Sequence, residues 1–223
     1  MKGFLKSSIG KKLIMSISGL FLITFLLVHL TLNLLLMFDS TGELFNTAAN
    51  FMGSNPMMKV MEPILVLGFF VHIIYGAVLE IQNRMARGAS KYAKFDQSKS
   101  SKWASRNMIY LGIAVFAFLG LHIANFFLKI KMGDVGEVNI GGVHMHDTYT
   151  LVTSLFAIWW YDVIYVIGAI ALGLHLNHGF WSAFQTIGLS NDLWRKRLNV
   201  VGGLYAIIIA VGFSIIPIYF LIF

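Results

Sequence analysis

Histidine recurs inside the most apolar stretches of this sequence. Five of the seven histidines lie there: His29, His72, His122, His175 and His178. An ionisable side chain is costly in a segment long enough to cross a bilayer, so a functional role is the default hypothesis for it. A single such histidine is as easily explained by a hydrogen bond between helices. Four separate segments that each carry at least one histidine favour a shared function instead.

The segments that carry these histidines belong to a membrane protein. The chain has 223 residues, of which 57% are hydrophobic and 12% charged, and so little charge excludes an ordinary soluble domain. A span takes about 20 apolar residues. We predict an all-α integral membrane protein in which residues 1–223 form a single domain, one bundle of five transmembrane helices. The predicted spans are Leu13–Phe38, Pro63–Asn83, Asn107–Leu128, Ser154–Phe184 and Val200–Phe223. The fourth is longer than a span needs, so it is expected to be tilted, bent or extended beyond the lipid.

The basic residues are divided unequally between the two ends of this bundle. Fourteen of the 17 Lys and Arg residues precede the first span or lie between spans two and three or spans four and five. The positive-inside rule makes that side cytoplasmic, with the N-terminus cytoplasmic and the C-terminus outside. The net charge of +7 is therefore interpreted as the charge of the cytoplasmic membrane face and not as a sign of nucleic-acid binding. In the outer loops we expect an amphipathic segment within 39–62 and a short hairpin within 129–150.

The available ligand types narrow the chemistry. The chain has no cysteine, which excludes thiolate-ligated or covalently attached haem and an ordinary iron–sulfur cluster on this chain. The sequence contains neither a Gly-x-Gly-x-x-Gly motif nor a Walker loop, so no motif indicates nucleotide binding. Imidazole nitrogens remain, and these bind zinc, copper, nickel or haem iron.

The predicted topology sorts the histidines by depth. With a rise of about 1.5 Å per residue, His29 and His122 fall in the outer half of the bundle, His72 near the middle and His175 in the inner half. Few carboxylates lie in spans one to four away from their ends, and the depths differ, which disfavours one compact metal site. Pairing by depth joins His29 with His122 and His72 with His175. Two stacked bis-histidine sites suit two haem b groups that are bound non-covalently.

Three stretches resemble the dihaem cytochrome b membrane anchor of succinate:quinone oxidoreductases (succinate dehydrogenase and fumarate reductase), in the form with a single five-helix anchor subunit. They are "SISGLFLITFLLVHL", "FFVHIIYGAVLE" and "HLNHGFWSAFQTIG". The third is similar to a family pattern with the haem ligand four residues before a glycine, which makes His175, before Gly179, the ligand. His178 is then interpreted as a supporting group that hydrogen-bonds a haem propionate or caps the helix end. The loop before span four is longer than expected, so no role is carried over to His144 and His146.

The resemblance implies a quinone-reactive electron-transfer subunit that performs no succinate chemistry alone. A flavoprotein subunit would interconvert succinate and fumarate, and an iron–sulfur subunit would dock on the basic cytoplasmic face. Electrons would pass through the inner haem (His72, His175) and the outer haem (His29, His122) to a membrane quinone, for which the resemblance suggests menaquinone. The implied location is the bacterial cytoplasmic membrane, multi-pass, in a complex that can form a higher oligomer.

Further site residues follow from this function. Quinone reduction takes up two protons and needs a protonatable group near an interface. Glu43 is the first candidate, with Asp39 and Glu62 as alternatives in the same outer loop. The propionates of the inner haem need polar partners, and the residues at a suitable depth are Ser16, Trp181 and Ser182, with Lys12 and Arg84.

Three other interpretations remain open. The anchor of a hydrogenase or formate dehydrogenase would give the same haem spectrum with different partners. A transporter or channel that moves protons or metal ions by histidine would bind no haem, although the shortage of mid-span carboxylates counts against it. A structural membrane subunit would use its histidines only to bridge helices.

Overall fold

Five long apolar helices form the body of the protein. The computed structural model describes residues 3, 7–87, 107–189 and 191–223. Each of the five helical segments is long and apolar enough to cross a membrane. This confirms the predicted all-α integral membrane protein with five transmembrane helices. The helices are α1 (Ser8–Leu34, continued by a 3-10 turn, Leu35–Met37), α3 (Pro56–Arg87), α4 (Met108–His122, continued by a π-helical turn, Ile123–Phe127, and by α5, Leu128–Met132), α7 (Trp159–Thr186) and α8 (Asp192–Ile222).

Shorter elements connect these helices at one end of the bundle. They are α2 (Glu43–Ser54), an antiparallel hairpin of β1 (Glu137–Ile140) and β2 (Val143–His146), and α6 (Thr148–Phe156). The amphipathic segment and the hairpin predicted in the two outer loops are therefore both present. We call α2, the hairpin and α6 the cap, and the end of the bundle that carries them the cap end.

The opposite end, which we call the basic end, carries Lys11, Lys12 and the run Arg195–Arg197 near the first turns of α1 and α8. Lys2, Lys6 and the basic loop 88–106, on which the predicted orientation also rests, lie outside the described residues.

Three of the long helices, α1, α3 and α8, begin earlier than the apolar pattern indicates. Ser7 caps α1 and Asn191 caps α8, since the side-chain oxygen of each accepts a hydrogen bond from the backbone N–H three residues later, at 3.0 and 2.9 Å. Helix α3 starts with Pro56, whose missing N–H is harmless in a first turn. These first turns are polar, so a count of apolar residues leaves them out of the predicted spans.

The fourth predicted span, Ser154–Phe184, is two helices and not one. Helix α6 ends at Phe156, and α7 begins at Trp159 after Ile158 adopts an extended conformation (φ −106°, ψ 99°). Phe156 is buried in a hydrophobic cluster that α6 shares with α1, α2, α7 and α8. Packing of α6 into the cap therefore fixes this break, and no glycine or proline marks it in the sequence.

Helices α1, α7 and α8 form the centre of the bundle. Helices α7 and α8 approach closely at Gly173, where an added Cβ would lie 2.7 Å from the Cβ of Ala210. The Tyr205 hydroxyl of α8 donates to the Ile23 carbonyl of α1 at 2.6 Å. Helix α3 packs on α1, and α4 packs on α7. The two outer helices are thus each held by one central helix.

The cap is held together by one buried amide. Asn46 of α2 is 2% exposed. Its side chain donates to Asp147 Oδ1 at 3.0 Å and accepts from the Thr148 hydroxyl and the Tyr149 backbone N–H, both at 2.8 Å. This amide therefore ties α2 to the start of α6 across about 100 residues of sequence.

Replacing Asn46 with Ala should loosen the cap. The change leaves the Tyr149 N–H and the Thr148 hydroxyl without a partner, which costs about 2 kcal/mol, equivalent to about 30-fold faster amide hydrogen exchange in α2 and α6. Amide hydrogen–deuterium exchange of the detergent-solubilised protein, followed by mass spectrometry, measures this rate. Thr47→Ala, an exposed change on the same helix, is the control. Equal exchange rates in Asn46→Ala and Thr47→Ala would contradict the role given to Asn46.

Candidate functional site

The first pair of imidazoles lies in the half of the bundle next to the cap. His29 of α1 and His122 of α4 have ring centroids 5.6 Å apart and ring planes at 87°. Both residues are half-buried. The two histidines that the depth argument joins are therefore neighbours, although 93 residues separate them in the chain.

The second pair lies towards the basic end. His72 of α3 and His175 of α7 have ring centroids 6.3 Å apart and ring planes at 71°. Two helices pass both pairs. On α1, Ser18 lies beside His72 and His29 follows eleven residues later, a rise of about 16 Å. On α4, Gly112 faces His175 and His122 follows ten residues later, a rise of about 15 Å. The two pairs are therefore stacked along the bundle axis.

No direct hydrogen bond joins the two imidazoles of either pair in the described part of the chain. The Nδ1 atoms of His122 and His175 are buried without a hydrogen-bond partner there. A histidine that serves only to bridge two helices needs such a bond, because a buried imidazole without a partner is destabilising. Neither pair is therefore joined by the imidazole–imidazole hydrogen bond that a histidine bridge between its two helices would use.

One imidazole of each pair has a polar neighbour at Nδ1. The Ser18 hydroxyl lies 3.4 Å from His72 Nδ1 and donates its own proton to the Met15 carbonyl at 3.1 Å. Since that proton is used, Ser18 can only accept from His72, which places the imidazole proton on Nδ1 and leaves Nε2 free to bind a metal. The side-chain amide of Asn33 lies 3.4 Å from His29 Nδ1.

The donor set fits haem better than a bare metal ion. The described residues contain no group of three or more His, Cys, Asp or Glu side chains that could hold a metal ion, whereas a bare ion such as zinc takes three or four protein ligands. Haem iron is held by its macrocycle and takes only axial ligands from the protein. The ring centroids of the two pairs, 5.6 and 6.3 Å apart, bring two imidazoles near enough that they could share one iron.

The helices that carry the two members of each pair are not in close backbone contact in the described structure. Among the described segments, α1 and α4 are not closely packed, and neither are α3 and α7, although these helices carry the paired histidines. A Cβ on Gly19 would lie only 3.3 Å from His72 Cε1. The imidazoles and their surroundings are thus compatible with two bis-histidine haem sites.

Aromatic side chains surround the pair next to the cap, His29 and His122. Phe25 stacks on His29 with centroids 5.2 Å apart, and Phe213 lies 5.6 Å from the same ring. Phe126 and Tyr165 lie 5.3 and 6.2 Å from the His122 ring. The π-helical turn that follows His122 contributes to this arrangement, and such turns occur often at functional sites.

The other predicted site residues lie further from the imidazoles. Ser16 is buried in α1 at 6% exposure, and Trp181 and Ser182 are half-buried near the basic end of α7. Glu43 is exposed in the first turn of α2. No hydrogen bond joins these four residues to either pair in the described structure.

The two alternative outer carboxylates have partners of their own. Glu62 pairs with Lys131 at 2.8 Å. The backbone N–H of Leu44, helped by Thr41, holds the pKa of the half-buried Asp39 carboxyl below its usual range. Both carboxylates therefore have local structural roles.

Three residues near the pairs were missed by the sequence argument. Ser18 directly precedes Gly19 in the first quoted stretch, and its neighbour Ser16 was chosen on depth alone. Asn125 and Tyr165 are buried and hydrogen-bonded to each other next to His122. Their only signal in the sequence is that they are polar residues within apolar spans.

The chain is similar to a known respiratory subunit. It is 26% identical over 177 residues to the "Succinate dehydrogenase cytochrome b558 subunit" of Bacillus subtilis (strain 168), and the alignment covers 78% of this chain and 77% of the relative. No family model matches the chain, and no solved structure matches it. The similarity confirms the resemblance to succinate dehydrogenase cytochrome b anchors that the three sequence stretches indicate.

The contact between Gly19 and His72 gives a test of the inner site. We expect Gly19→Val to push the His72 ring away from His175, because even a methyl group would already lie 3.3 Å from Cε1. The bound haem should fall from about two towards one per chain in a pyridine haemochrome assay. Gly120→Val, at a position with nothing within 4 Å, should retain both. Full haem content and an unaltered spectrum in Gly19→Val would contradict the role given to the contact between Gly19 and His72 in haem binding.

Proposed function

We propose that this chain is the haem-carrying membrane anchor of a succinate:quinone oxidoreductase. Its similarity to a succinate dehydrogenase cytochrome b subunit supports the complex, and the two stacked imidazole pairs support two haem b groups. The observation that carries the proposal is the pairing of His29 with His122 and of His72 with His175. The ring centroids lie 5.6 and 6.3 Å apart, and the four histidines come from four different spans.

The part played by the chain is to hold and insulate two redox centres. Haem, when bound, supplies one-electron chemistry. Two histidines would hold each haem, and a haem held by two histidines would favour electron transfer over oxygen binding. The apolar helices would keep water away, and Ser18, beside His72 Nδ1, would help to hold that imidazole in place. Ser16, Trp181 and Ser182 are proposed partners for the propionates of the inner haem.

The partners follow from the charge of the two ends. We place the basic end in the cytoplasm of a bacterial cell, where it meets an iron–sulfur subunit that carries a flavoprotein subunit. Lys11, Lys12 and the run Arg195–Arg197 supply described positive charge at this end. The cap end then faces outwards, and the quinone, proposed to be menaquinone, reacts beside the outer pair. Glu43, on the cap, remains a candidate for its protonatable group.

The haem count of two neighbouring variants tests the assignment of ligands. His175→Ala removes one axial ligand of the inner pair, so the purified variant should hold about one haem b per chain. His178→Ala is the matched control three residues away on the same helix, and it should hold about two. Both are measured by pyridine haemochrome against protein concentration. Loss of haem in His178→Ala with full haem in His175→Ala would reverse the two roles.

The identity of the partners has a separate test. Affinity purification of the tagged chain from mild detergent should bring down a flavoprotein and an iron–sulfur protein that together oxidise succinate. Flavin content and succinate-dependent dye reduction measure this outcome. A haem-containing preparation that instead brings down hydrogenase or formate dehydrogenase activity would contradict the assigned complex while leaving the haem sites intact.

A further inference from the structure

The helix geometry of the third span changes directly after His122. The next five residues, Ile123–Phe127, form a π-helical turn in which the backbone N–H of Leu128 donates to the Ile123 carbonyl. Such turns are rare and occur mostly as single turns inside an α-helix, often at functional sites. A π turn holds more residues than an α turn, so the side chains after His122 point in other directions than they would in a regular α-helix. The turn therefore needs a local cause.

Asn125, in the middle of this turn, is a buried polar residue in an apolar span. It is 9% exposed, and its side-chain amide donates to the Tyr165 hydroxyl of α7 at 3.1 Å. Tyr165 is itself 7% exposed. Replacement of both members of such a bond by apolar groups of the same shape is often neutral or stabilising. Stability alone therefore does not account for the pair, whereas a satisfied buried hydrogen bond does specify one arrangement of the surrounding core.

The Tyr165 ring forms one side of the surroundings of His122. The two ring centroids lie 6.2 Å apart. Phe126, from the same π turn as Asn125, lies 5.3 Å from the His122 ring and 5.9 Å from the Tyr165 ring. On its other sides the Tyr165 ring packs against Phe118 and Phe156, each with centroids 5.1 Å away. The bond from Asn125 thus fixes a ring that is packed against His122.

His122 lacks the polar neighbour at Nδ1 that two of the other paired histidines have. Its Nδ1 is buried without a hydrogen-bond partner in the described part of the chain. By contrast, Asn33 lies beside Nδ1 of His29, and Ser18 lies beside Nδ1 of His72. No hydrogen bond at Nδ1 fixes the His122 ring, so its direction depends on the rings packed against it.

We propose that Asn125 and Tyr165 are positioning residues for His122. Their hydrogen bond holds the π turn and the neighbouring rings so that the imidazole is directed towards His29. This inference rests on the proposed function, in which the two histidines would hold one haem. Neither positioning residue takes part in proton transfer. Groups that orient a metal-binding histidine influence both the affinity for the metal and its electronic properties.

The variants Tyr165→Phe and Asn125→Leu test this role, because each removes one partner of the bond with little change in size. Each purified protein should still hold about two haems. One of the two should pass to a haem-free globin about 10-fold faster than in the wild type, since loss of a group that orients a metal ligand lowers metal affinity by about 10–100-fold. Tyr161→Phe is the matched control, the same change one turn earlier on α7 at a half-buried position, and should release haem at the wild-type rate.

The electron paramagnetic resonance spectrum of the oxidised protein identifies which haem is affected. The signal of a low-spin ferric haem depends on the orientation of its two axial imidazoles. The signal that is lost in His122→Ala should shift in both Tyr165→Phe and Asn125→Leu. The signal that is lost in His175→Ala should keep its wild-type position. Equal shifts of the two signals would indicate a general loosening of the bundle and would overturn the proposal.

The double variant that combines Asn125→Leu with Tyr165→Phe separates positioning from stability. It leaves neither polar group unpaired, so its melting temperature should return towards that of the wild type, while the resonance signal stays shifted. Recovery of the wild-type signal together with the melting temperature would reduce the bond to a structural role and overturn the proposal. If Asn125→Leu does not assemble, Tyr165→Phe, which lacks one hydroxyl, decides the question.

Failure of this inference is distinguishable from failure of the function on which it rests. Wild-type resonance signals and haem release in Tyr165→Phe and Asn125→Leu, with two haems bound, would overturn the positioning role alone. Folded wild-type protein without haem would contradict the proposed function, and this inference with it.

Discussion

The cost of placing imidazole in an apolar bundle is the constraint on which the rest of this structure depends. Four histidines on four spans meet in two pairs, and no hydrogen bond between the partners offsets their burial in the described structure. In the proposed function, coordination of a metal by both members of a pair would provide that compensation. Because each pair supplies only two ligands, such a metal would have to bring its remaining ligands with it, as haem iron does.

The helix arrangement follows from the need to hold two such pairs at two depths. Helices α1 and α7 lie at the centre, and each contributes one histidine, His29 and His175, to a different pair. Helices α4 and α3, at the periphery of the bundle, supply the partners His122 and His72. Contacts such as Gly173 against Ala210 and the Tyr205 hydroxyl on the Ile23 carbonyl fix α7 and α1 against α8.

Much of this could be predicted from the sequence because the bilayer imposes strong rules. Helix length and apolar composition determine the five spans, and direction and rise place His29 at the depth of His122. The break between α6 and α7 could not be predicted, since it depends on packing of Phe156 into the cap and carries no glycine or proline signal. The closeness of Ser18 to His72 depends on how α1 and α3 pack against each other. The burial of Asp162, which lies inside the predicted span Ser154–Phe184, depends on packing at the cap end and could not be predicted.

An optical spectrum of the wild-type protein tests whether the two imidazole pairs each hold one haem. The detergent-purified chain, produced with haem available, should give a reduced-minus-oxidised spectrum of cytochrome b type with two haems per polypeptide by pyridine haemochrome. Folded protein that shows no haem absorption under the same conditions would contradict the account. It would favour a membrane protein whose histidines move protons or metal ions.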